Sequence, residues 1–121
     1  TAADGLRVLR ETGAAGLMLG RGAIADPLLF ERIRARAGAE PDRTEREEML
    51  HRYLGELLTS YCGVFCGDTQ ILGKIKGVLA TMDDPDLAKT LKKLKKTRTV
   101  RAFAAILDEA SQKKTAGVRC L

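Results

Sequence analysis

Apolar residues recur along this chain in two rhythms, and the change of rhythm divides it. Over residues 1–40 they come in short clusters separated by glycine: Leu6 and Leu9, then Leu17-Met18-Leu19, then Leu28, Leu29, Phe30 and Ile33. From residue 44 onward they return every three or four positions through polar sequence, the period of a helix with one buried face.

The first cluster predicts a helix over Ala2 to Thr12, with Arg7, Arg10 and Glu11 outward and Gly13 as a left-handed cap. The continuously apolar Leu17-Met18-Leu19 predicts a short strand, Gly16 to Leu19, of the parallel kind buried on both faces. One strand is not a sheet, so its neighbours must lie in sequence beyond this chain or in another chain. Asp26-Pro27 predicts the next helix start, with a carboxylate at the cap and proline at the first position. Gly38 to Arg43 gathers glycine, proline and charge and reads as a linker.

The second rhythm predicts four amphipathic helices. Thr44-x-x-Glu47 reads as a capping box opening the longest, whose apolar face is Leu50, Tyr53, Leu54, Leu57, Leu58 and Tyr61. Cys66-Gly67-Asp68-Thr69 breaks it, and Ile71, Leu72, Ile75, Val78, Leu79 and Met82 line the next. Asp83-Asp84-Pro85-Asp86 stops that helix and starts a third, lined by Leu87, Leu91 and Leu94. Thr97 or Thr99 caps a last helix carrying Val100, Phe103, Ile106, Leu107 and Ala110, with fraying expected from Ser111. Four such helices with short connections make a bundle.

Charge changes this picture more than overall composition does. The net charge is +5, but residues 89–121 carry 10 basic and 2 acidic side chains, whereas residues 41–88 carry 5 and 9. Local clusters set the field that a polyanion meets. Lys89, Lys92, Lys93 and Lys96 share a helix face, Arg98 and Arg101 continue the charge, and Lys74 and Lys76 flank a buried stripe. A phosphate-holding surface and a solvated helix face both fit this pattern. Aromatic residues are only 4% of the chain, which argues against a binder that stacks unpaired bases.

The remaining chemistry is sparse. No apolar run approaches the roughly 20 residues of a membrane span. Cys62, Cys66 and Cys120 form no disulfide or zinc pattern, so a reducing, cytoplasmic setting is expected and no metal site is assigned. His51 is the only histidine and reads as structural, and Tyr53, Tyr61, Met18 and Met49 read as packing. Gly20-Arg21-Gly22 follows the predicted strand, where glycines admit an anion to the backbone and arginine offers a planar donor fork. On spacing alone, a phosphate corner and a solvated turn are equally compatible.

The stretch from Thr12 through Gly20-Arg21-Gly22-Ala23 to Asp26-Pro27-Leu28-Leu29-Phe30 resembles the end of the catalytic barrel in tRNA-dihydrouridine synthases. Ala15 departs from the aspartate common there. Gly67-Asp68-Thr69 and Lys74-Ile75-Lys76 resemble the helical domain that follows the barrel in the bacterial branch. The resemblance implies a mainly α chain: a helical bundle preceded by the last βα unit of a (β/α)8 TIM barrel. It divides the chain into a barrel end at 1–37, a linker at 38–43 and a helical tRNA-binding domain at 44–121. It implies FMN as cofactor and NADPH as reductant, with hydride passing from the flavin to a tRNA uridine. Gly20, Arg21 and Gly22 would contact the FMN phosphate, and Lys74, Lys76, Lys92, Lys93, Lys96 and Arg98 would contact tRNA. The family's catalytic cysteine has no counterpart among Cys62, Cys66 and Cys120, so no catalytic residue is assigned and the chain alone is expected to be inactive. A helical RNA-binding or adaptor module without catalysis is the alternative. A dihydroorotate dehydrogenase-like flavin barrel would share the arginine corner but leave the basic helices unexplained. A barrel end by itself exposes Leu17, Met18, Leu19, Leu28 and Leu29, so self-association, re-docking on the bundle or a different local structure is expected.

Overall fold

Phe103, Leu54, Ile75, Leu79 and Leu94 are fully buried, and four helices meet around them. In a computed structural model, residues 1–36 and 39–118 are described, with side chains through residue 109. The four are α4 (Arg43–Val64), α5 (Asp68–Leu79), α6 (Ala88–Lys96) and α7 (Val100–Val118). Three shorter helices precede them, α1 (Ala2–Thr12), α2 (Arg21–Ala25) and α3 (Leu29–Arg34). The protein is mainly helical, and no strand forms among the described residues. α7 continues to Val118, past Ser111 where fraying was expected. Ala37 and Gly38 at the expected boundary, and Cys120, lie outside the described residues.

The bundle follows the apolar pattern closely. Leu50, Leu54 and Leu58 of α4 pack with Ile71, Leu72, Ile75 and Leu79 of α5, and Leu87, Leu91, Leu94, Phe103 and Leu107 close the cluster. Each such side chain contributes roughly 1.5–3 kcal/mol by leaving water. The caps are specific. Asp84 accepts from the Asp86 N–H at 3.0 Å and, with Pro85 behind it, starts the 3₁₀ turn Pro85–Leu87 that leads into α6. Thr99 accepts from the Ala102 N–H at 3.1 Å and caps α7, while the Thr97 hydroxyl turns inward onto the Leu94 carbonyl at 2.7 Å. Asp68, first residue of α5, accepts from the Val100 N–H at 3.2 Å, so it serves the neighbouring helix.

Arg46 joins the start of α4 to the α5–α6 loop. Its Nε donates to Asp84 at 2.7 Å, one terminal nitrogen to Asp86 at 2.5 Å, and the other to the Pro41 carbonyl at 2.9 Å. These carboxylates hold its guanidinium pKa above the ordinary value, the Asp84 hydrogen bond most of all.

Three local expectations are corrected. The capping box of α4 is Asp42 with Glu45, two residues earlier than Thr44 with Glu47; both reciprocal bonds are 2.9 Å. Asp26 does not cap α3, which starts at Leu29. Its carboxylate is taken by the Arg32 guanidinium, and a charge-assisted pair outcompetes a cap bond. Gly16 to Leu19 is not a strand, because a strand's backbone groups need a neighbouring strand and none is present among the described residues. Met18 is accordingly 99% exposed and is not a packing residue.

The first helix matches expectation: Gly13 ends it at φ 65° and donates its N–H to the Leu9 carbonyl. α1 then packs on α3, with Gly5 at the contact; a Cβ there would lie 3.0 Å from Ile33 Cδ1 and 3.1 Å from Leu17 Cδ1. α2 packs on α5, and Ala25 reaches the bundle core. The N-terminal segment is thus re-docked on the bundle, burying Leu29 and half-burying Leu17, Leu19 and Leu28.

His51 is half-buried on α4, and neither ring nitrogen has a hydrogen-bond partner among the described residues. Burial holds its imidazole below the ordinary value of 6.5, opposed by Glu47 one turn earlier. The unfolded chain therefore takes up the proton more readily. Stability is full above the unfolded value and falls as pH drops through it toward the lower folded value. The urea midpoint should fall between about pH 7 and about pH 5.5, and His51→Phe, which keeps a ring but cannot titrate, should flatten that fall. Phe103→Ala should cost about 3–5 kcal/mol in the same denaturation experiment, a large part of an ordinary domain's stability of about 5–15 kcal/mol.

Candidate nucleic-acid interface

α6 buries Leu91 and Leu94 and turns its lysines outward, as an amphipathic helix at the edge of a bundle must. Lys89, Lys92, Lys93, Lys95 and Lys96 are all exposed. They do not form one uniform face. Lys92, Lys95 and Lys96 line a depression of about 300 Å³ between α6 and the α5–α6 loop. Lys93 turns the other way, into a groove of about 780 Å³ between α4, α6 and α7 that it shares with His51 and Arg52. That second groove also carries Glu47, Glu48, Asp108 and Glu109, so its field is mixed.

The other expected contact residues are placed differently. Lys76 is half-buried, and its ammonium donates to the Thr97 carbonyl at 2.6 Å, tying α5 to the end of α6. Lys74 is exposed with its Nζ 5.6 Å from the centre of the Phe65 ring. Phe65 in turn meets Tyr61 edge-on at 5.5 Å. Lys74 thus sits at a cation–π contact, and Lys76 is engaged within the fold. Arg98 and Arg101 are exposed at the turn from α6 into α7 and extend the positive surface.

Two residues that bear on this surface were not singled out from sequence. Lys95 falls outside the 89, 92, 93, 96 stripe; its signal was its place one turn after Leu91, at the border of the buried side. Arg46 had no sequence signal, since its carboxylate partners are 38 and 40 residues away.

Gly20, Arg21 and Gly22 lie at the start of the five-residue α2 and not at the end of a strand. All three are exposed, and Arg21 makes no ion pair with a described residue. A Cβ on Gly20 would meet nothing within 4 Å, and one on Gly22 would meet only Leu29 Cδ2 at 3.6 Å. The backbone there is open to approach. Cys62 and Cys66 are exposed free thiols. No group of three metal-ligating side chains occurs among the described residues, nor is any helix there long and apolar enough to cross a membrane.

Among known protein families, the chain matches Dihydrouridine synthase (Dus) over residues 1–115. No curated protein and no solved structure matches it. The family comprises oxidoreductases that act on uridine in tRNA. Because the match spans both the N-terminal helices and most of the bundle, the chain belongs to the dihydrouridine synthase family.

Proposed function

We propose that this chain supplies the tRNA-holding helical domain of an FMN-dependent tRNA-dihydrouridine synthase, together with one edge of the flavin-phosphate site. The family match over residues 1–115 carries this reading. The exposed lysines of α6 and the arginines after it support the tRNA role. The lysines lie on a helix whose other side is in the core, with Arg98 in the turn that follows, so together they present positive charge to a folded polyanion. Phosphate contacts of this kind position an RNA without reading its bases. Lys92, Lys93, Lys96 and Arg98 are the contacts we favour, with Lys74 at their margin and Lys76 acting through the packing of α5 against α6.

Gly20, Arg21 and Gly22 are read as the flavin edge. Their open backbone and the Arg21 guanidinium, unpaired among the described residues, fit a phosphate. FMN, with NADPH as reductant, supplies the hydride chemistry when bound; these three residues would hold and orient its phosphate and do no more. Neither Cys62 nor Cys66 is assigned the proton-donor role, so dihydrouridine formation is not expected of this chain alone. Exposed free thiols suit a reducing cytoplasm. The exposed side chains of Met18, Ile24 and Phe30 leave a surface through which copies can associate.

The alternative is a helical RNA-binding module that has no catalytic partner. The bundle favours it in one respect, since its core cluster is continuous without any barrel sheet. Adding the chain to a synthase assay separates the two readings only if tRNA binding is measured first. The purified chain should bind a tRNA transcript with a steep salt dependence and carry no visible flavin absorbance. Replacing Lys92, Lys93 and Lys96 together by alanine should lower the log–log salt slope by about 2–3. Binding that is absent at low salt, or a slope indifferent to the triple replacement, would remove the tRNA role.

A further inference from the structure

We infer that the depression between α6 and the α5–α6 loop seats one phosphodiester of the RNA backbone, through Lys92, Lys95 and Lys96, and that Arg46 keeps this seat electropositive. The inference rests on the tRNA reading and adds to it a place, a new contact residue and a residue that acts without touching RNA.

Met82, Ala88 and Leu91 line the depression together with the three lysines. Asp83 and Asp84 belong to the same depression, and Asp86 follows in the same loop. Left free, these carboxylates would cancel most of the lysine charge and draw the ammonium groups onto themselves. Arg46 prevents that. It engages Asp84 at 2.7 Å and Asp86 at 2.5 Å, and its third contact, to the Pro41 carbonyl at 2.9 Å, holds the guanidinium in place from the α4 side. Lys92, Lys95, Lys96 and Arg46 carry four positive charges against three negative ones on Asp83, Asp84 and Asp86, a surplus of one that would be zero without Arg46. A monoanionic phosphodiester matches that surplus, and the lysines' flexible stems suit a point-charge contact to phosphate. Arg46 is a positioning residue. It acts through the carboxylates, and its side chain is only about one-quarter exposed.

The test uses the full chain and an unmodified tRNA transcript, with affinity followed across a salt series and helicity checked by circular dichroism for every variant. Lys95→Ala should weaken binding about five-fold at about 0.1 M salt and lower the log–log slope by about 0.7–0.9, the loss of one phosphate contact. Arg46→Gln should weaken binding at least as much. In Arg46→Gln/Asp84→Asn the guanidinium is still missing but the parent's local charge balance is restored, and affinity should return to within about two-fold of the parent. A double variant as weak as Arg46→Gln means that Arg46 serves structure alone and overturns its role here. If Lys92, Lys93 and Lys96 matter while Lys95→Ala and Arg46→Gln are silent, the tRNA reading stands and the seat is rejected. If the parent chain does not bind tRNA, both fall.

Discussion

The burial of α5 is the constraint on which the rest of this molecule depends. It touches α2, α4, α6 and α7, and its Ile75 and Leu79 are inaccessible to solvent. Its polar residues are used as fully as its apolar ones. Asp68 at its start accepts the first free N–H of α7, and Lys76 near its end donates to the Thr97 carbonyl that closes α6. Both ends of the α6–α7 corner are therefore pinned by a single helix. The direction in which the basic residues of α6 point follows from that pinning, because a half-buried helix cannot rotate without exposing Leu91 and Leu94.

Charge is organised by the same packing. The acidic middle of the chain and its basic end would partly cancel if the residues mixed freely. The fold keeps them apart by giving the loop carboxylates their own cation. Arg46 comes from α4, far in sequence from both the carboxylates and the lysines, and is held in a half-buried setting by three acceptors. The same contacts join the start of α4 to the α5–α6 loop.

The N-terminal segment shows that apolar content alone does not make a strand. Residues 13–20 have the apolar content of a buried strand, yet hydrogen-bonding geometry and not hydrophobicity makes a strand. With no partner among the described residues they form no sheet, and the helices around them find other apolar surfaces: α1 on α3, α2 on α5. The arginine corner survives as an exposed turn at the start of α2. Its likeness to the family is carried by residue identity, while its local geometry here belongs to this packing.

By itself the sequence determined the bundle. The three- and four-residue recurrence from Leu50 to Leu107 named the core almost residue by residue, because helical burial depends on spacing within one segment. Local signals of the same kind placed the Gly13 cap, the Asp84-Pro85 start and the Thr99 cap. Only the tertiary structure decided the rest, wherever an outcome depended on a competitor elsewhere in the chain. Asp26 left its cap for Arg32, Lys76 left the surface for Thr97, and the α6 lysines were divided between two grooves by what α4, α7 and the α5–α6 loop bring beside them. A strand's partner, a carboxylate's counter-ion and a groove's far wall are all long-range choices, and a local pattern carries no record of them.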